Sequence, residues 1–303
     1  MSRLARWWVL GRKGIDDPLV TVVKLNGILQ AATGRGPQAR RLLNLERVEK
    51  WLQRAFYKPL SPAACAIVVN SPGGSPVQAE LINDMVRSLS KETGIPTFTF
   101  AEDVAASGGY WLMMSGSEAY AAETSVIGSI GVISATFGAV ETAARLGIER
   151  RVWTAGAAKL PMDPFLPVKP EQEGRLMELM TSMHDSFQSI VKRSRGDRLR
   201  GTEGELFSGR VWTGRQALDL GLVDGLGTMR GIMKEKYGDK TKFLLCSEPT
   251  QPGLRDLLGF GTGGGSNIID IAHERYSEVA KQTVQATLDE LEERSVWDRF
   301  KIY

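Results

Sequence analysis

Residues 64–76 read ACAIVVNSPGGSP, and this stretch decides the fold class of the 303-residue chain. Its first six residues are small or aliphatic and carry no charge, which is typical of a short buried strand. Ser71-Pro72-Gly73-Gly74 ends that strand, and the apolar periodicity over Pro76–Ser90 predicts a helix. A strand, a turn and a helix form the unit of an α/β domain, in which functional residues gather on the turns.

The same unit recurs on both sides of this stretch. Leu19–Leu25 is rich in β-branched residues and predicts a strand, and residues 44–56 predict a helix capped by Asn44. The other predicted strands are Ile95–Ala101, Ala119–Ala122, Ile148–Trp153 and Lys242–Cys246, the other predicted helices are Ser107–Met114 and Pro170–Arg195, and Val211–Gly221 is a strand entering a helix. The sequence therefore predicts an α/β fold.

Composition shifts divide the chain into four segments. These are a basic N-terminal segment 1–17, a main domain 18–258, a glycine-rich linker 259–266 and a C-terminal helix 267–303. From Ile268 the apolar residues of the last segment recur at spacings of mostly three or four, the pattern of an amphipathic helix. Such a helix must bury its apolar stripe, either on a neighbouring subunit or on its own domain.

Composition and charge exclude several classes of protein. Apolar residues make up 42 % and charged residues 24 %, so the chain as a whole is globular rather than disordered. A net charge of +3 gives no reason to expect nucleic-acid binding. No run of about 18 apolar residues occurs, so no transmembrane helix is predicted. The basic N-terminus, with Trp7 and Trp8, is compatible with peripheral membrane contact or an organellar transit peptide (mitochondrion or plastid).

Metal and disulfide chemistry find no support in the sequence. Cys65 and Cys246 both lie in apolar runs, which predicts buried, reduced thiols rather than ligands or a disulfide scaffold. His184 and His273 are the only histidines. No metal site and no cofactor are therefore expected.

Ser107 is the first candidate for chemistry. It lies in the segment Asp103-Val-Ala-Ala-Ser-Gly-Gly-Tyr110, between a predicted strand and a predicted helix. At a helix N-terminus, free N–H groups and the positive end of the helix dipole would stabilise an oxyanion. The Gly73-Gly74 pair could point further N–H groups into the same cleft. A phosphate-binding loop is the alternative for that pair, but no Gly-Lys-Ser/Thr follows it. Taken alone, both motifs are equally compatible with structural turns.

Lys159 is the second candidate. It is the only charged residue between Arg151 and Asp163, in a stretch of small and apolar residues. Desolvation lowers the pKa of a lysine, and a neutral amine can take a proton from a serine. Taken alone, a loop lysine is more commonly exposed to solvent.

These elements occur in the order that a known family shows. Together with Gly128-Ser-Ile-Gly-Val132, Gly209–Gly214 and Gly221–Asp224, they closely resemble the signal peptide peptidase A family of serine peptidases. The resemblance covers roughly Leu19–Tyr237, and its motifs are collectively specific.

The resemblance implies roles for five residues. Ser107 corresponds to the nucleophile and Lys159 to the general base, and Ser129 is expected to hydrogen-bond the lysine and orient it. Gly74 and Gly108 correspond to the positions that form the oxyanion hole. No histidine takes part: the related Clp subunit would need one near Val132, and His184 is expected to be a solvent-edge or packing residue on its helix.

The resemblance also implies an architecture and an assembly. The fold would be that of the Clp protease and the crotonases, with repeated ββα units and two nearly perpendicular sheets. A chain with one catalytic module would assemble as a homo-oligomeric ring or dome around an apolar chamber. Membrane-bound bacterial members begin with a transmembrane anchor, which this sequence does not show.

The leading hypothesis is a serine endopeptidase that cuts unfolded, apolar peptides such as released signal peptides or membrane-protein fragments. Trp111, Met113 and Met114 are expected to line its apolar cleft. One alternative is a crotonase-like acyl-CoA enzyme, for which Asp103 and Glu123 are the nearest candidate acids. The other alternative is a catalytically silent oligomeric scaffold.

Overall fold

The computed structural model describes residues 17–31, 42–57, 60–156, 159 and 163–247. The predicted linker and C-terminal helix, and residues 1–16 of the basic N-terminal segment, lie outside these ranges. The strands are β1 Leu19–Asn26, β2 Ala64–Ser71, β3 Thr97–Ala106, β4 Glu118–Ala121, β5 Val126–Gly128, β6 Val211–Thr213, β7 Gly225–Leu226 and β8 Lys242–Leu245. The helices are α1 Leu45–Ala55, α2 Pro76–Thr93, α3 Gly108–Met113, α4 Val140–Arg145, α5 Pro170–Arg195, α6 Glu203–Leu206, α7 Gly214–Asp219 and α8 Met229–Tyr237.

The described strands form one sheet in the order β6-β5-β3-β2-β1-β8, with β4 joined to β3 and β7 joined to β4. Every pairing is parallel except that of β5 with β6. Parallel strands need crossover connections, and α1 and α2 supply those between β1, β2 and β3. The α/β class predicted from the sequence is confirmed.

The sheet forks at β3, where two nearly perpendicular sheets were expected. The first part of β3, Phe98–Ala101, pairs with β4, and its last part, Val104–Ala106, pairs with β5. A register shift against β2 separates the two parts. Such irregularities bend and twist a strand, which lets β3 serve two neighbours on one side.

Local sequence explains where the helices next to the site begin and end. Asn44 caps α1 by accepting a hydrogen bond from the Arg47 N–H, and Ser75 caps α2 by accepting one from the Gln78 N–H. α2 ends at Gly94, whose φ of 75° is the left-handed conformation of a helix C-cap. α2 thus begins directly after the Gly73-Gly74 turn, and it packs on the face of the sheet that is called the inner face below.

The two faces of the sheet are covered unequally. Helices α1, α2 and α3 and the C-terminal half of α5 bury the inner face, whose core includes Ile67 and Val69. The outer face carries Val22, Val68 and Phe100 and packs against α8 through Met233. None of the helices in the described part combines the length and apolar character needed to span a bilayer.

One strand predicted from the sequence is wrong, and the predicted state of the cysteines is confirmed. The predicted strand Ile148–Trp153 is wrong: these residues form no strand, and Ile148 and Trp153 are 58 % and 86 % exposed. Their β-branched and aromatic character favours a strand only where a neighbouring strand is available. The buried, reduced thiols are confirmed, and burial raises the pKa of Cys65 to about 12.

Candidate functional site

Ser107 occupies a strained turn between β3 and α3. Its φ of 51° and ψ of −123° are unusual for a residue with a side chain, a strain of order 1–3 kcal/mol. Two hydrogen bonds hold the turn: the Ser107 N–H donates to the Gly128 carbonyl at 2.8 Å, and the Trp111 N–H donates to the Ser107 carbonyl at 3.1 Å. The hydroxyl does not cap α3 and makes no hydrogen bond to another described residue.

The Gly73-Gly74 turn packs directly against Ser107 and Gly108. Gly73 has a φ of +106°, and a Cβ atom there would lie 2.8 Å from both the Gly108 nitrogen and the Ser107 Cβ. Gly74 has a φ of +131°, and a Cβ there would collide with the carbonyl of Leu29. Only glycine allows the two turns to approach this closely.

Backbone pairing fixes the direction of the Gly74 N–H. The Leu29 N–H donates to the Gly73 carbonyl at 2.8 Å, and the Ser75 N–H donates to the Leu29 carbonyl at 2.6 Å. This is a parallel bridge, so Gly74 turns its own N–H away from Leu29. Neither the Gly74 N–H nor the Gly108 N–H has an acceptor among the described residues. Two free donors thus lie on neighbouring turns next to the Ser107 hydroxyl, an arrangement that suits a developing oxyanion.

Ser129 lies beside Ser107 at the end of the neighbouring strand. Ala106 of β3 is paired with Gly128 of β5, so each serine is the residue that follows one member of this pair. Parallel strands lie about 4.8 Å apart. Ser129 also has a φ of 51°, and its N–H donates to the Arg210 carbonyl at 2.8 Å. The structure thus brings Ser107, Ser129, Gly74 and Gly108 together.

Lys159 is not brought to this group. It lies between α4 and α5, and its backbone N–H donates to the Gly156 carbonyl at 3.2 Å. Its side chain is exposed and forms no hydrogen bond or ion pair with another described residue. The described part of the chain therefore does not provide the desolvated setting expected for this lysine, since none of its residues covers the side chain.

A buried ion pair supports the far side of α3. Arg195 is 3 % exposed, and two of its nitrogens donate to the Asp224 carboxylate at 2.6 and 3.0 Å. Burial alone would raise the pKa of Asp224, but hydrogen bonds from Arg195 and the Ala119 N–H outweigh it and lower that pKa. The neighbouring Leu222 carbonyl accepts a hydrogen bond from the Tyr110 hydroxyl at 2.7 Å, which anchors α3.

The expected lining of the cleft beside Ser107 is wrong. Trp111, Met113 and Met114 do not line a cleft, because they are 6 %, 0 % and 1 % exposed and belong to the core. Trp111 stacks on Phe187 of α5 with ring centroids 5.0 Å apart. Helix α3 is short and buried on all sides, which its uniformly apolar sequence indicates in retrospect.

Two neighbours of the site, Leu29 and Ser71, were not assigned a role from the sequence. Leu29 bridges to the glycine turn, and the Ser71 hydroxyl accepts a hydrogen bond from the Gly73 N–H at 3.2 Å. The second could have been inferred, since a serine two residues before a glycine is typical of such a turn. His184 lies 3.3 Å from the Ile130 carbonyl, next to Ser129, so this packing histidine supports the site loop.

Comparisons with known proteins identify the family. The model of peptidase family S49 matches residues 90–241, which contain Ser107, Ser129 and Lys159. The chain is 42 % identical over 283 residues to a protein of Brucella abortus named Na(+)/H(+) antiporter NhaA, a match that covers 93 % of this chain and 36 % of that protein. It is 27 % identical over 293 residues to the chloroplastic serine protease SPPA of Arabidopsis thaliana, covering 94 % of this chain and 40 % of that protein.

The chain thus spans little more than a third of the length of these relatives, and the antiporter name is not carried over to it. Among solved structures, a mutant of the 1510-N membrane-bound stomatin-specific protease with a substrate peptide covers 81 % of this chain and 98 % of its own. The identity is 13 % and the TM-score 0.48. On the family match over half of its length, this chain belongs to peptidase family S49, with the α/β Clp protease-like fold predicted from its sequence.

Proposed function

We propose that the chain is a serine endopeptidase in which Ser107 is the nucleophile and Lys159 the general base. The observation that carries the proposal is the free Ser107 hydroxyl on a strained turn, beside the unpaired N–H groups of Gly74 and Gly108. Ser107 and Ser129 share this strained backbone conformation, and strained residues beside free donors are typical of functional sites.

The proposed reaction is amide hydrolysis in two steps. The Ser107 Oγ attacks the scissile carbonyl while its proton passes to the neutral Lys159 amine, and the oxyanion accepts hydrogen bonds from Gly74 and Gly108. The C–N bond then breaks as the lysine returns the proton to the leaving amine. Water attacks the acyl-enzyme in the same way, and Ser129 orients the lysine throughout.

Assembly of several copies would supply the cover over Lys159 that the described part of one chain does not provide. The segment on both sides of this lysine carries a set of exposed apolar side chains, namely Ile133, Phe137, Leu146, Ile148, Trp153, Val168, Met177 and Leu179. Monomeric proteins seldom expose so many apolar groups along one region. We propose that a homo-oligomeric ring or dome buries them, desolvates Lys159 and encloses the sites in an apolar chamber.

Unfolded, apolar peptides are the proposed substrates, including released signal peptides and fragments of membrane proteins. An enclosed chamber admits extended chains but excludes folded proteins, and the apolar groups around Lys159 would contact the peptide. Efficient cleavage after lysine or glutamate would contradict this substrate class.

The acyl-CoA alternative receives no support from the nearest carboxylates. Asp103 accepts a hydrogen bond from Asn70 at 3.0 Å, and Glu123 is paired with Arg215 at 3.0 Å on the surface. Neither is held free beside the glycine N–H groups, where an enolate chemistry would need an acid or base.

A fluorophosphonate probe tests the proposal. Wild-type protein should be labelled at Ser107, and the Ser107→Ala and Lys159→Ala variants should each lose about 10³-fold or more of peptidase activity, since a nucleophile and its base act as a unit. Native mass should be unchanged in both variants, which separates chemistry from assembly. Substantial activity in Lys159→Ala would disprove the Ser–Lys pair, and labelling without any peptidase activity would point to another acyl transfer.

A further inference from the structure

A cavity of about 580 Å³ lies on the outer face of the sheet, away from the site described above. Its floor is formed by three neighbouring strands and is apolar, with Val22, Val68 and Phe100. Phe243 and Leu245 of β8 form one wall, and Met229 at the start of α8 forms another. Lys24 and Glu102, joined by an ion pair of 2.8 Å, lie at the end of the cavity nearest the site.

The helix that covers this face leaves part of it open. α8 has nine residues and packs on the face through Met233, which is fully buried. Beyond α8, the apolar wall residue Leu245 remains 47 % exposed. An apolar face with an open cavity at its centre is typical of a surface that another element covers.

The described chain ends at the rim of this cavity. β8 is the last strand of the described sheet, and the Cys246 N–H continues the pairing by donating to the Val22 carbonyl at 2.8 Å. The Lys24 N–H then donates to the Ser247 hydroxyl at 3.3 Å. Residues 248–303 follow directly from this point, so the chain leaves the described domain beside the cavity.

The sequence of residues 267–303 matches this surface in character. Nine of its apolar residues recur at spacings of mostly three or four, as in an amphipathic helix whose apolar side winds gradually around its axis: Ile268, Ile271, Ala272, Tyr276, Val279, Ala280, Val284, Leu288 and Leu291. Residues 268–291 have five acidic and two basic residues. The charged residues that line the cavity are Lys24, Glu102 and Arg230, and Lys24 is paired with Glu102. Arg230 thus leaves a positive charge at the cavity that an acidic segment complements.

We propose that residues 268–291 form an amphipathic helix that docks in this cavity on their own domain. Residues 248–267 join the docking segment to the cavity rim, and a connection of about 20 residues gives an effective concentration in the millimolar range. A second copy would have to exceed that concentration to compete. The other terminal segment is less suited, because residues 1–14 carry four basic residues and no acidic one and would meet the positive charge of Arg230.

Photocrosslinking in the full-length protein tests the docking. With p-benzoylphenylalanine at position 245, irradiation should give crosslinks to residues 268–291. The same probe at Val77, which is 55 % exposed on α2, should give none to that segment. In an equal mixture of isotopically light and heavy chains, the crosslinked peptides should be purely light or purely heavy, since both ends belong to one chain. Hybrid peptides as the main product, or crosslinks only to residues 1–16, would overturn the proposal.

A charge in the cavity provides a second, independent measurement. Leu245→Glu changes a half-exposed side chain, so the domain should stay folded, while the docked segment should be released. Trypsin should then cut at Arg275 and Lys281 about tenfold faster than in wild-type protein, because local opening exposes the chain to the protease. Val77→Glu should leave the rate unchanged. Equal rates in all three proteins would refute the docking.

Discussion

Gly73→Ala tests how the two glycine-containing turns form the site. The added Cβ would lie 2.8 Å from the Gly108 nitrogen and 2.8 Å from the Ser107 Cβ, distances that real Cβ atoms do not show. One of the turns must therefore move by several tenths of an ångström or more. The Gly108 N–H would then no longer point at the position where an oxyanion would develop. Removing one such donor costs about 10²–10³ in kcat.

Gly94→Ala is the matched control. Gly94 also has a positive φ, of +75°, but a Cβ there would meet nothing within 4 Å. In both variants alanine is forced to a positive φ, which destabilises the folded protein by about 1 kcal/mol. Only Gly73→Ala adds the collision with the site. Peptide hydrolysis by Gly94→Ala should stay within about twofold of wild type.

The assay is kcat and KM for an unfolded apolar peptide, with thermal unfolding measured on the same samples. Gly73→Ala should lower kcat by about 10²-fold while the protein remains folded. A variant that keeps more than half of the wild-type kcat would refute the view that Gly73 holds the Gly108 N–H in place. Equal losses in both variants would show that only the backbone cost matters.

Two further outcomes are expected. Asp224→Asn leaves the buried Arg195 guanidinium without its counterion and should lower the free energy of unfolding by about 3–5 kcal/mol near neutral pH. Because the folded-state pKa of Asp224 is lowered, the stabilisation by this ion pair is present above the ordinary carboxyl pKa and is lost as the pH falls through the lowered pKa. Urea unfolding curves of the wild-type and variant proteins should therefore converge in acid. His184→Ala removes the contact with the Ile130 carbonyl and should reduce kcat several-fold with KM little changed, whereas His184→Gln, which can still donate there, should restore part of it.

The parts of the fold that local sequence encodes could be predicted. The strand before Ser71, the helix after Ser75 and the turn at Ser107 each carry their own signals, since apolar runs, caps and glycines act over a few residues. Their order along the chain was enough to indicate the family.

The parts that depend on distant partners could not be predicted. Ile148–Trp153 has the composition of a strand but no neighbour to pair with, and Trp111 is buried because α5 arrives from far along the chain. Leu29 joins the site only through a bridge to Gly74. The solvent exposure of Lys159 depends on the groups that cover it, and the pattern of residue types within one chain does not specify those groups.

The fork at β3 makes the site sensitive to the length of one connection. Ser107 and Ser129 stay side by side only while Ala106 remains paired with Gly128, and a Cβ on Gly128 would collide with the Trp212 ring, so that end of β5 has no room to slip. The connection between Ala121 and Val126 is a tight turn, in which the Ser125 N–H donates to the Ala122 carbonyl at 3.2 Å. A residue inserted or deleted there would strain this turn, and a slip of β5 by one residue would turn Ser129 to the opposite face of the strand. Across natural variants of this chain, insertions should therefore be almost absent from this connection. A reporter group for following assembly belongs instead in the exposed loop 133–137, which is proposed to meet a neighbouring subunit.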